Sequence, residues 1–397
     1  MSTGVALAQS VSQQLGCATE YTVALMPRGG AQAGPALGIL DGIVSLEWDR
    51  TLDAPASCKL VIGLPQAGTH CCQTVRQVEK WATELAVFRH TGAAIERVWE
   101  GPVINYEESL QTGQFTVLAY DVLEWLKVRV NHTDWVFPNG LDSAQMVAYM
   151  IADGFLPDDP HVVEHMVVAA TGTMITDNTP AETVNVWQHL GQLLQSQVDV
   201  TTVGRRIIVM GEGGAPWTKR ISLGADDLAG DVVLGDDGTN YCNRMIVQGS
   251  AVSRTAKRTL HGQVVQDDPT LPVAAGDQDD TYHGLVEHLV KMSQVATRAQ
   301  AWSSAVNLMA YSELTGYVRG TDNAGLLPTA PVKISDLVCG TFVDLTPSPF
   351  FCSALPPQAV VSLQSVAVTY APGNGEIVGI SVGAVNKAAS LLLQSGA

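Results

Sequence analysis

Apolar and polar residues alternate along several short segments in the N-terminal third of the chain. Residues 44–49 (VSLEWD) have apolar residues at every second position, which is the period of a half-buried β-strand, and residues 58–64 continue in the same way. Two further hairpins are indicated by paired segments around Gly-containing turns, at residues 85–89 with 95–99 and at residues 104–106 with 114–119. We therefore predict a small antiparallel β-barrel over residues 23–130. It is preceded by a polar N-terminal arm over residues 1–22, which is predicted to stay loose until a partner orders it.

The pattern becomes helical after residue 130. Asp142 or Ser143 is predicted to cap a helix, and residues 179–182 (TPAE) have the pattern of a capping box with proline at the first helical position. Short strand-like segments follow. We predict an α/β insertion domain over residues 131–200, with residues 201–240 as a candidate to complete the first barrel.

The last part of the chain is predicted to be a second β unit interrupted by a helix. Strand-like residues 366–370 and 377–385 flank an Asn-Gly turn, which is the strongest short-range hairpin signal. Upstream, apolar residues recur every three or four positions, which predicts one long amphipathic helix, or two in series, over residues 280–312. This gives a second β-barrel over residues 241–388 and a C-terminal tail over residues 389–397. The predicted fold class is mainly β with an α/β insertion: two tandem small antiparallel β-barrels plus helical elements.

Composition adds an expectation about assembly. Apolar residues make up 46% of the 397 residues and charged residues only 15%, and the mean hydropathy is +0.14. No stretch approaches the uninterrupted run of about 18 apolar residues that a membrane-spanning helix needs. Large permanent interfaces resemble a domain core cut in half, so burial against other subunits explains the shortage of charge. We therefore expect an oligomer and no membrane-spanning segment.

The charge of the chain argues against nucleic-acid binding. The net charge is −17, from 39 acidic and 22 basic residues. Binding to nucleic acid needs Lys and Arg to neutralise phosphates and release counterions. An acidic wall would instead repel a phosphate backbone, which suits a conduit for DNA, although acidity that only keeps the protein soluble explains the composition equally well. The N-terminus lacks the basic and apolar regions of a signal peptide, so secretion by that route is not expected.

The sharpest catalytic pattern is His161-x-x-Glu164-His165, which matches the H-x-x-E-H motif of inverted zinc peptidases. In those enzymes the motif lies on a helix, where two imidazoles and a carboxylate converge on zinc. Here the flanking residues are β-branched and favour a strand as much as a helix, and on a strand the two histidines would lie too far apart for one ion. We therefore assign no catalytic residue, metal or cofactor, and keep a zinc-dependent hydrolase as an alternative.

Cysteine and tryptophan are two further candidates for functional residues. The seven cysteines are odd in number and scattered, so neither a disulfide framework nor a zinc site is indicated, and His70-Cys71-Cys72 is predicted to lie in a loop. Four tryptophans fall on apolar faces and are predicted to be core residues, namely Trp48, Trp99, Trp125 and Trp302. If they were exposed, a carbohydrate-binding tail module would be a second alternative. Asn131-His132-Thr133 is formally a glycosylation sequon, idle without a secretory signal.

Eight short segments recur in a characteristic order along the chain: residues 48–52 (WDRTL), 84–89 (ELAVFR), 99–103 (WEGPV), 119–121 (AYD), 125–126 (WL), 243–249 (NRMIVQG), 327–332 (LPTAPV) and 336–340 (DLVCG). Taken in this order, they resemble the tail hub family of long-tailed phages, the minor tail or baseplate hub proteins at the tip of the tail tube. Together they extend over most of residues 40–385. One departure is Cys339, where the family pattern has a proline before the glycine of a turn.

The resemblance implies a mechanical role and no enzymatic one. Members of the family have two related barrels per chain and form a homotrimer, so that six barrels match the sixfold tail tube and the far side offers threefold symmetry to a central fibre or spike. The implied partners are the distal tail protein, the tail tube, the tape measure protein and the fibre or spike. Viral DNA would pass through without specific binding. The implied location is the tail tip of the virion, after assembly in the host cytoplasm.

Overall fold

A computed structural model describes most of the chain. It describes residues 14–65, 67–92, 94–156, 166–194, 198–211, 218–229, 232–236, 244–249, 273–276, 286–292, 302, 305, 316–320, 324–346 and 359–383. The chain divides into two compact units, one of residues 1–233 with 319–383 and the other of residues 234–318 with 384–397.

The N-terminal part of the first unit is a run of antiparallel strands with one short helix. The strands are β1 (Glu20–Pro27), β2 (Gly38–Ile39), β3 (Ile43–Thr51), β4 (Ser57–Gly63), β5 (Thr83–His90), β6 (Ile95–Ser109) and β7 (Gln114–Tyr120), and helix α1 (Thr69–Val75) lies between β4 and β5. These bounds agree with the strands and hairpins that alternation predicts, except that residues 95–99 and 104–106 lie in one continuous strand, β6, and that β4 ends one residue before Leu64. The inward side chains of β3 include Leu46 and Trp48, both buried.

The next part of the first unit mixes short strands with two helices. The strands are β8 (Trp135–Val136), β9 (Leu141–Asp142), β10 (Val167–Val168), β11 (Met174–Ile175), β12 (Asn178–Thr179), β13 (Asp199–Val203), β14 (Arg206–Met210), β15 (Ile221–Gly224) and β16 (Leu228–Ala229), and the helices are α2 (Ser143–Phe155) and α3 (Val186–Leu194). The two helices pack on a 3₁₀ helix, Val122–Val128, around a shared apolar core.

Helix α2 has the predicted cap, but α3 does not begin where the capping-box pattern places it. The Asp142 side chain accepts hydrogen bonds from Ala144 N and Gln145 N at the start of α2. Residues 179–182 form the end of β12 and a turn, with Glu182 at a positive φ of 59°. The buried Asn131 amide holds this turn, because its oxygen accepts from Thr183 N and Val184 N (3.0 and 3.1 Å) and its nitrogen donates to Pro180 O.

The Asp142 carboxylate also joins α2 to the strand region that follows it, and this predicts the effect of its removal. Its second oxygen accepts from Thr171 N (2.9 Å) and Gly172 N (2.7 Å). We expect Asp142→Ala to lower the free energy of unfolding by about 1–2 kcal/mol, since a helix cap and these contacts are lost together. Urea denaturation of the full chain measures it. Gln145→Ala, on an exposed residue of the same helix, is the control and should change stability by less than about 0.5 kcal/mol.

The remaining strands are β17 (Val232–Asp236), β18 (Arg244–Gly249), β19 (Val273–Gly276), β20 (Glu287–Met292), β21 (Gly316–Gly320), β22 (Ala324–Leu326), β23 (Phe342–Thr346), β24 (Ala359–Ala371) and β25 (Gly375–Gly383). Strands β24 and β25 form the predicted C-terminal hairpin. They belong to the first unit, because β24 pairs with β3 from Ser365 opposite Thr51 to Tyr370 opposite Leu46. This differs from the predicted division, in which these strands complete a separate barrel over residues 241–388.

The mainly-β class is confirmed, but the strands that the structure describes do not form two closed barrels. Thirteen strands make one sheet with the order β16-β22-β25-β24-β3-β4-β7-β6-β5-β1-β2, to which β23 and β15 attach beside β24. Strands β15 and β16, from the segment proposed to complete the first barrel, pair instead with β23 and β22. Among the described strands, the two ends of this order do not pair, and each end is a strand of only two residues.

The second unit contains a three-stranded sheet in which β18 lies between β19 and β20. The helix predicted over residues 280–312 is wrong at Glu287–Met292, which form β20 and pair in parallel with all of β18. Pairing with a neighbouring strand overrides the local helical period, since Met245 and Val247 of β18 are buried in this sheet. Trp302 and Ala305 are helical, and the rest of the predicted helix lies outside the described residues. No helix in the described part of the chain is both long and apolar enough to cross a bilayer.

Candidate functional site

The residues of the zinc-peptidase pattern lie outside the described part of the chain. His161, Glu164 and His165 all fall in the segment 157–165. Within the described ranges, no group of three His, Cys, Asp or Glu side chains is placed to hold a metal ion. The hydrolase alternative therefore stays an untested prediction.

The His70-Cys71-Cys72 triplet lies in helix α1 and not in a loop. The Cys71 thiol donates a hydrogen bond to Asp41 O (3.2 Å) and accepts one from Asp41 N (3.1 Å), so it ties α1 to the chain between β2 and β3. Burial raises the pKa of this thiol. A buried thiol with a raised pKa is a poor nucleophile and a poor metal ligand, which is typical of a structural cysteine.

Three of the four tryptophans are core residues as predicted. Trp48, Trp99 and Trp125 are buried, whereas Trp302 has 52% of its surface exposed and differs from the prediction. The three buried rings offer no stacking platform for a sugar. Asn131, the sequon asparagine, is completely buried and bonded to the turn before α3, so it is a structural residue.

A buried ion pair joins strand β5 to strand β25, two strands of the first unit that are far apart in sequence. Arg89 on β5 binds Glu376 on β25 with Nε–Oε1 at 2.8 Å, and both side chains are 2% exposed. Arg89 also donates to Leu15 O and Gly16 O (both 3.0 Å), and Glu376 accepts from Tyr21 Oη (2.6 Å). The predicted loose arm is therefore wrong for residues 14–22, because this pair holds them and β1 already begins at Glu20. Residues 1–13 lie outside the described residues.

Arg50 on β3 is a second buried side chain that joins distant segments, because it connects β3 with the loop that precedes β23. Its guanidinium donates to Ile334 O (2.6 Å), Leu337 O (3.1 Å) and Val98 O (3.0 Å). Complete burial lowers the pKa of Arg50 to about 10, which still leaves it charged at neutral pH. The three carbonyl oxygens accept hydrogen bonds from the two terminal nitrogens of that charged group. Arg50 therefore fixes segments that are far apart in sequence.

A third buried cluster surrounds the glycines after β1. Arg205 forms ion pairs with Glu84 and, at 3.7 Å, with Glu100. Glu84 also accepts from Gly29 N (3.1 Å). Gly30 has a φ of +63°, and a Cβ atom there would lie 1.8 Å from Glu100 Oε1, so only glycine fits. The carboxylates are occupied by arginine and backbone groups, which is a structural arrangement and not an acid–base pair.

The surface carries a basic patch that stands out in an acidic chain. Arg28 lies 4.5 Å and Arg129 5.4 Å from the centroid of the Trp125 ring, and Trp81 packs on the same ring at 4.8 Å. Beside the arginines, Lys127 is 40% exposed and forms an ion pair with Glu124 (Nζ–Oε2 2.8 Å). Two apolar residues there, Val128 and Val130, have 60% and 44% of their surface exposed. We call Arg28, Lys127, Val128, Arg129 and Val130 the basic patch.

A long hairpin presents the opposite chemistry. Every residue from 105 to 112 in the β6–β7 hairpin is exposed, including Glu107 and Glu108, and Leu110 is 94% exposed. We call residues 105–112 the acidic hairpin. From Val103 to Ser109, β6 pairs with β7 on one side and with no other described strand. An exposed strand edge with an apolar tip is a typical protein–protein contact surface.

Short sequence motifs do not predict the buried arginine contacts, nor do they predict the basic patch and the acidic hairpin. Catalytic motifs are short stretches of sequence, whereas Arg89 and Glu376 are 287 residues apart. One signal was present: in β3, Arg50 occupies the same alternation as Leu46 and Trp48, so the strand period alone places its guanidinium inside.

Comparison with known proteins identifies the class of this fold. The 43 kDa tail protein of prophage MuSo2 from Shewanella oneidensis superposes with a TM-score of 0.56 and 14% identity, over 93% of this chain and 99% of that one. A tail protein from Neisseria meningitidis MC58 gives 0.53 and 13%, over 91% and 96% of the two chains. Prophage tail protein gp18 from Listeria monocytogenes EGD-e gives 0.52 and 12%, over 95% and 98%.

The fold is therefore that of phage tail proteins, and the similarity extends over nearly the whole length of each partner. This confirms the resemblance drawn from the sequence at the level of fold. No protein-family model matches the sequence. No curated protein matches it either.

Proposed function

We propose that this chain is a structural component of a phage tail: a homotrimeric hub at the tail tip that connects the sixfold tail tube and distal tail ring to a threefold central fibre or spike. The observation that carries the proposal is the end-to-end similarity to the prophage MuSo2 tail protein, over 93% of this chain and 99% of that one.

The internal construction supports a mechanical role. The Arg89–Glu376 pair, the Arg50 contacts and the Arg205 cluster each join strands that are distant in sequence. Buried charges of this kind are costly to separate, so they keep strands in one arrangement under load. A part that transmits force between a tube and a fibre needs such rigidity. It needs no active site, and we propose that the chain is not an enzyme.

The charge supports passage of DNA without binding. With a net charge of −17, the chain would repel phosphates over much of its surface. We propose that the trimer forms part of the DNA-ejection channel in the virion tail tip, after assembly in the host cytoplasm. Its proposed neighbours are the distal tail, tail tube, tape measure and fibre or spike proteins.

The mass of the purified full chain in solution tests the proposal. Light scattering should give three times the chain mass of 42.1 kDa, and the sample should contain no stoichiometric zinc. A protein that stays monomeric both alone and when mixed with tail tube or distal tail protein would contradict the hub. Stoichiometric zinc that is lost in His161→Ala would contradict the non-enzymatic assignment, independently of the mass.

A further inference from the structure

We propose that the acidic hairpin binds an extended, basic segment of another protein, which adds as a further strand beside β6. The occupant is defined by its chemistry: a segment in β conformation with two adjacent Lys or Arg residues among β-branched ones. In strand addition of this kind, main-chain hydrogen bonds supply affinity and side chains supply specificity. The proposal goes beyond the hub, because it does not depend on how many copies of the chain assemble.

The backbone of β6 supplies the first argument. This strand pairs with β5 from Ile95 to Pro102 and with β7 from Val103 to Ser109, so it changes partner within its length. Over residues 105–109 the side of β6 away from β7 pairs with no other described strand, and every residue there is exposed. Residues along a strand turn their N–H and C=O groups to both sides in alternation. The hairpin therefore offers a partner backbone groups that no described strand uses.

The hairpin is held in shape by its own contacts, which is the second argument. Gly113 N donates to Ser109 O at 2.8 Å and closes the turn, and Leu64 N donates to Gly113 O at 2.9 Å and joins the turn to the end of β4. The Tyr106 and Phe115 rings pack across the two strands, with their centroids 5.7 Å apart. A template that is already ordered loses little conformational entropy on binding, so this edge is prepared for an added strand.

The charge of the hairpin selects a basic occupant. Glu107 and Glu108 are exposed, and within the described residues neither forms an ion pair. No Lys or Arg occurs in the sequence between Arg97 and Lys127. Because successive residues of a strand point to opposite faces, the two glutamates place one carboxylate on each face of the hairpin. An added strand therefore meets both carboxylates when it carries two adjacent cations.

The same charges disfavour a second copy of this edge as the occupant. Antiparallel pairing of two copies over residues 105–109 would set their Glu107 side chains opposite each other, and like charges directly opposite are destabilising. A basic segment replaces this repulsion by attraction. It also gains apolar contacts with Tyr106, which is 44% exposed on the same face as Glu108, and with Leu110, which is 94% exposed at the tip. The edge thus favours a basic partner over its own copies.

Peptide binding tests the proposal. The probe is a capped, fluorescent peptide of about eight residues in which Thr and Val alternate around a central Lys-Arg pair, titrated with the full chain. We expect the wild-type chain to bind this peptide, and Glu107→Lys with Glu108→Lys to bind it at least about tenfold more weakly, because both carboxylates are lost. A second peptide with a Glu-Glu centre should show the reverse preference. Glu20→Lys with Glu47→Lys makes the same change of net charge at exposed residues of β1 and β3, and it should bind the first peptide as wild type does.

Two measurements separate strand addition from attraction between charges alone. N-methylation of alternate peptide residues keeps the charge and removes the main-chain hydrogen bonds, so it should weaken binding at least about tenfold. Binding of the unmethylated peptide should slow amide hydrogen exchange at residues 105–109 at least about tenfold. An N-methylated peptide that binds equally tightly overturns the proposal. So does a wild-type chain that binds no peptide at about 1 mM.

Controls separate the proposed contact from folding and from the hub. Circular dichroism and thermal unfolding confirm that the Glu107→Lys, Glu108→Lys variant is folded, as expected for two exposed side chains. Sedimentation velocity gives the oligomeric state of the same samples. A wild-type oligomer that dissociates in this variant would make a second copy the occupant and overturn the proposal. A trimer that binds no peptide overturns the proposal and leaves the hub intact, whereas a chain that never trimerises yet binds the peptide supports the proposal and contradicts the hub.

Discussion

Replacing Glu376 with alanine is expected to lower the free energy of unfolding of the first unit by about 3–5 kcal/mol, the cost of leaving a buried charge without its partner. Arg89 would lose every carboxylate contact it makes within 3.1 Å and stay buried between β5 and β25. Tyr21 Oη would lose its acceptor, and Ala18 N would lose another at 2.9 Å. Urea denaturation followed by near-ultraviolet circular dichroism measures the change.

Two companion variants distinguish the ion pair from a general effect on β25. Ile377→Ala alters the next residue, whose side chain points to the opposite face and is 67% exposed, and it should change stability by less than about 0.5 kcal/mol. Arg89→Met with Glu376→Met replaces the pair by apolar side chains of similar length and should recover most of the loss, since neither charge is then buried alone. A loss below about 1 kcal/mol in Glu376→Ala would show that water reaches the pair.

The same variant reports on the N-terminal segment. Leu15 N and Gly16 N donate to Ala330 O and Pro328 O, both at 2.9 Å, and the Arg89 guanidinium holds the carbonyls of Leu15 and Gly16. Without Glu376 this guanidinium loses its anchor. We expect residues 14–18 of the variant to be cleaved by a protease under conditions in which the wild-type segment resists cleavage, because the cleavage rate follows the population of the open segment.

Local pattern was sufficient for the strands of the first unit but not for their partners. Alternation in β3, β4 and β7 was strict enough to predict each strand, because one face of each packs on the core. Nothing within β3 shows that its neighbour would be β24, from the other end of the chain. Both strands present large apolar residues on their inner faces, and such faces accept any strand of the same period. The predicted separation into two barrels failed for this reason.

The predicted helix boundaries are wrong where a residue that is distant in sequence determines the local conformation. The sequence TPAE has every local feature of a helix start, yet Asn131 binds the backbone on both sides of it and holds a turn, so α3 begins at Val186. Likewise the apolar period around Leu289 favours a helix, but pairing with β18 makes a strand. The buried arginine contacts were unpredictable for the same reason, except that the strand period places Arg50 on the inner face of β3.

Stability is expected to fall as the pH rises from about 4 to about 7, because of Asp121. Burial raises the pKa of this carboxyl to about 7, against the lowering effect of its hydrogen bonds from Thr202 Oγ1 (2.6 Å) and Leu123 N (3.0 Å). The unfolded chain ionises Asp121 near pH 4, whereas the folded chain keeps it neutral until about pH 7. The stabilisation is therefore fully present below the unfolded pKa and is lost as the pH passes through the folded pKa. The shift corresponds to at most about 4 kcal/mol.

Asp121→Asn isolates this contribution, because an amide has the shape and hydrogen-bonding capacity of the neutral acid and does not titrate. We expect the stability of the variant relative to wild type to rise by up to about 4 kcal/mol between about pH 4 and about pH 8. Asp142→Asn is the matched control with the opposite sign. Burial raises the pKa of Asp142, but hydrogen bonds from Thr171 and Gly172 outweigh it and the net pKa is lowered. That variant should lose stability relative to wild type as the pH rises through the acid range.

Equal pH dependence in Asp121→Asn and wild type would mean that Asp121 is ionised in the folded chain. Its bonds to Thr202 and Leu123 would then hold a charge at the junction of β7 and the 3₁₀ helix.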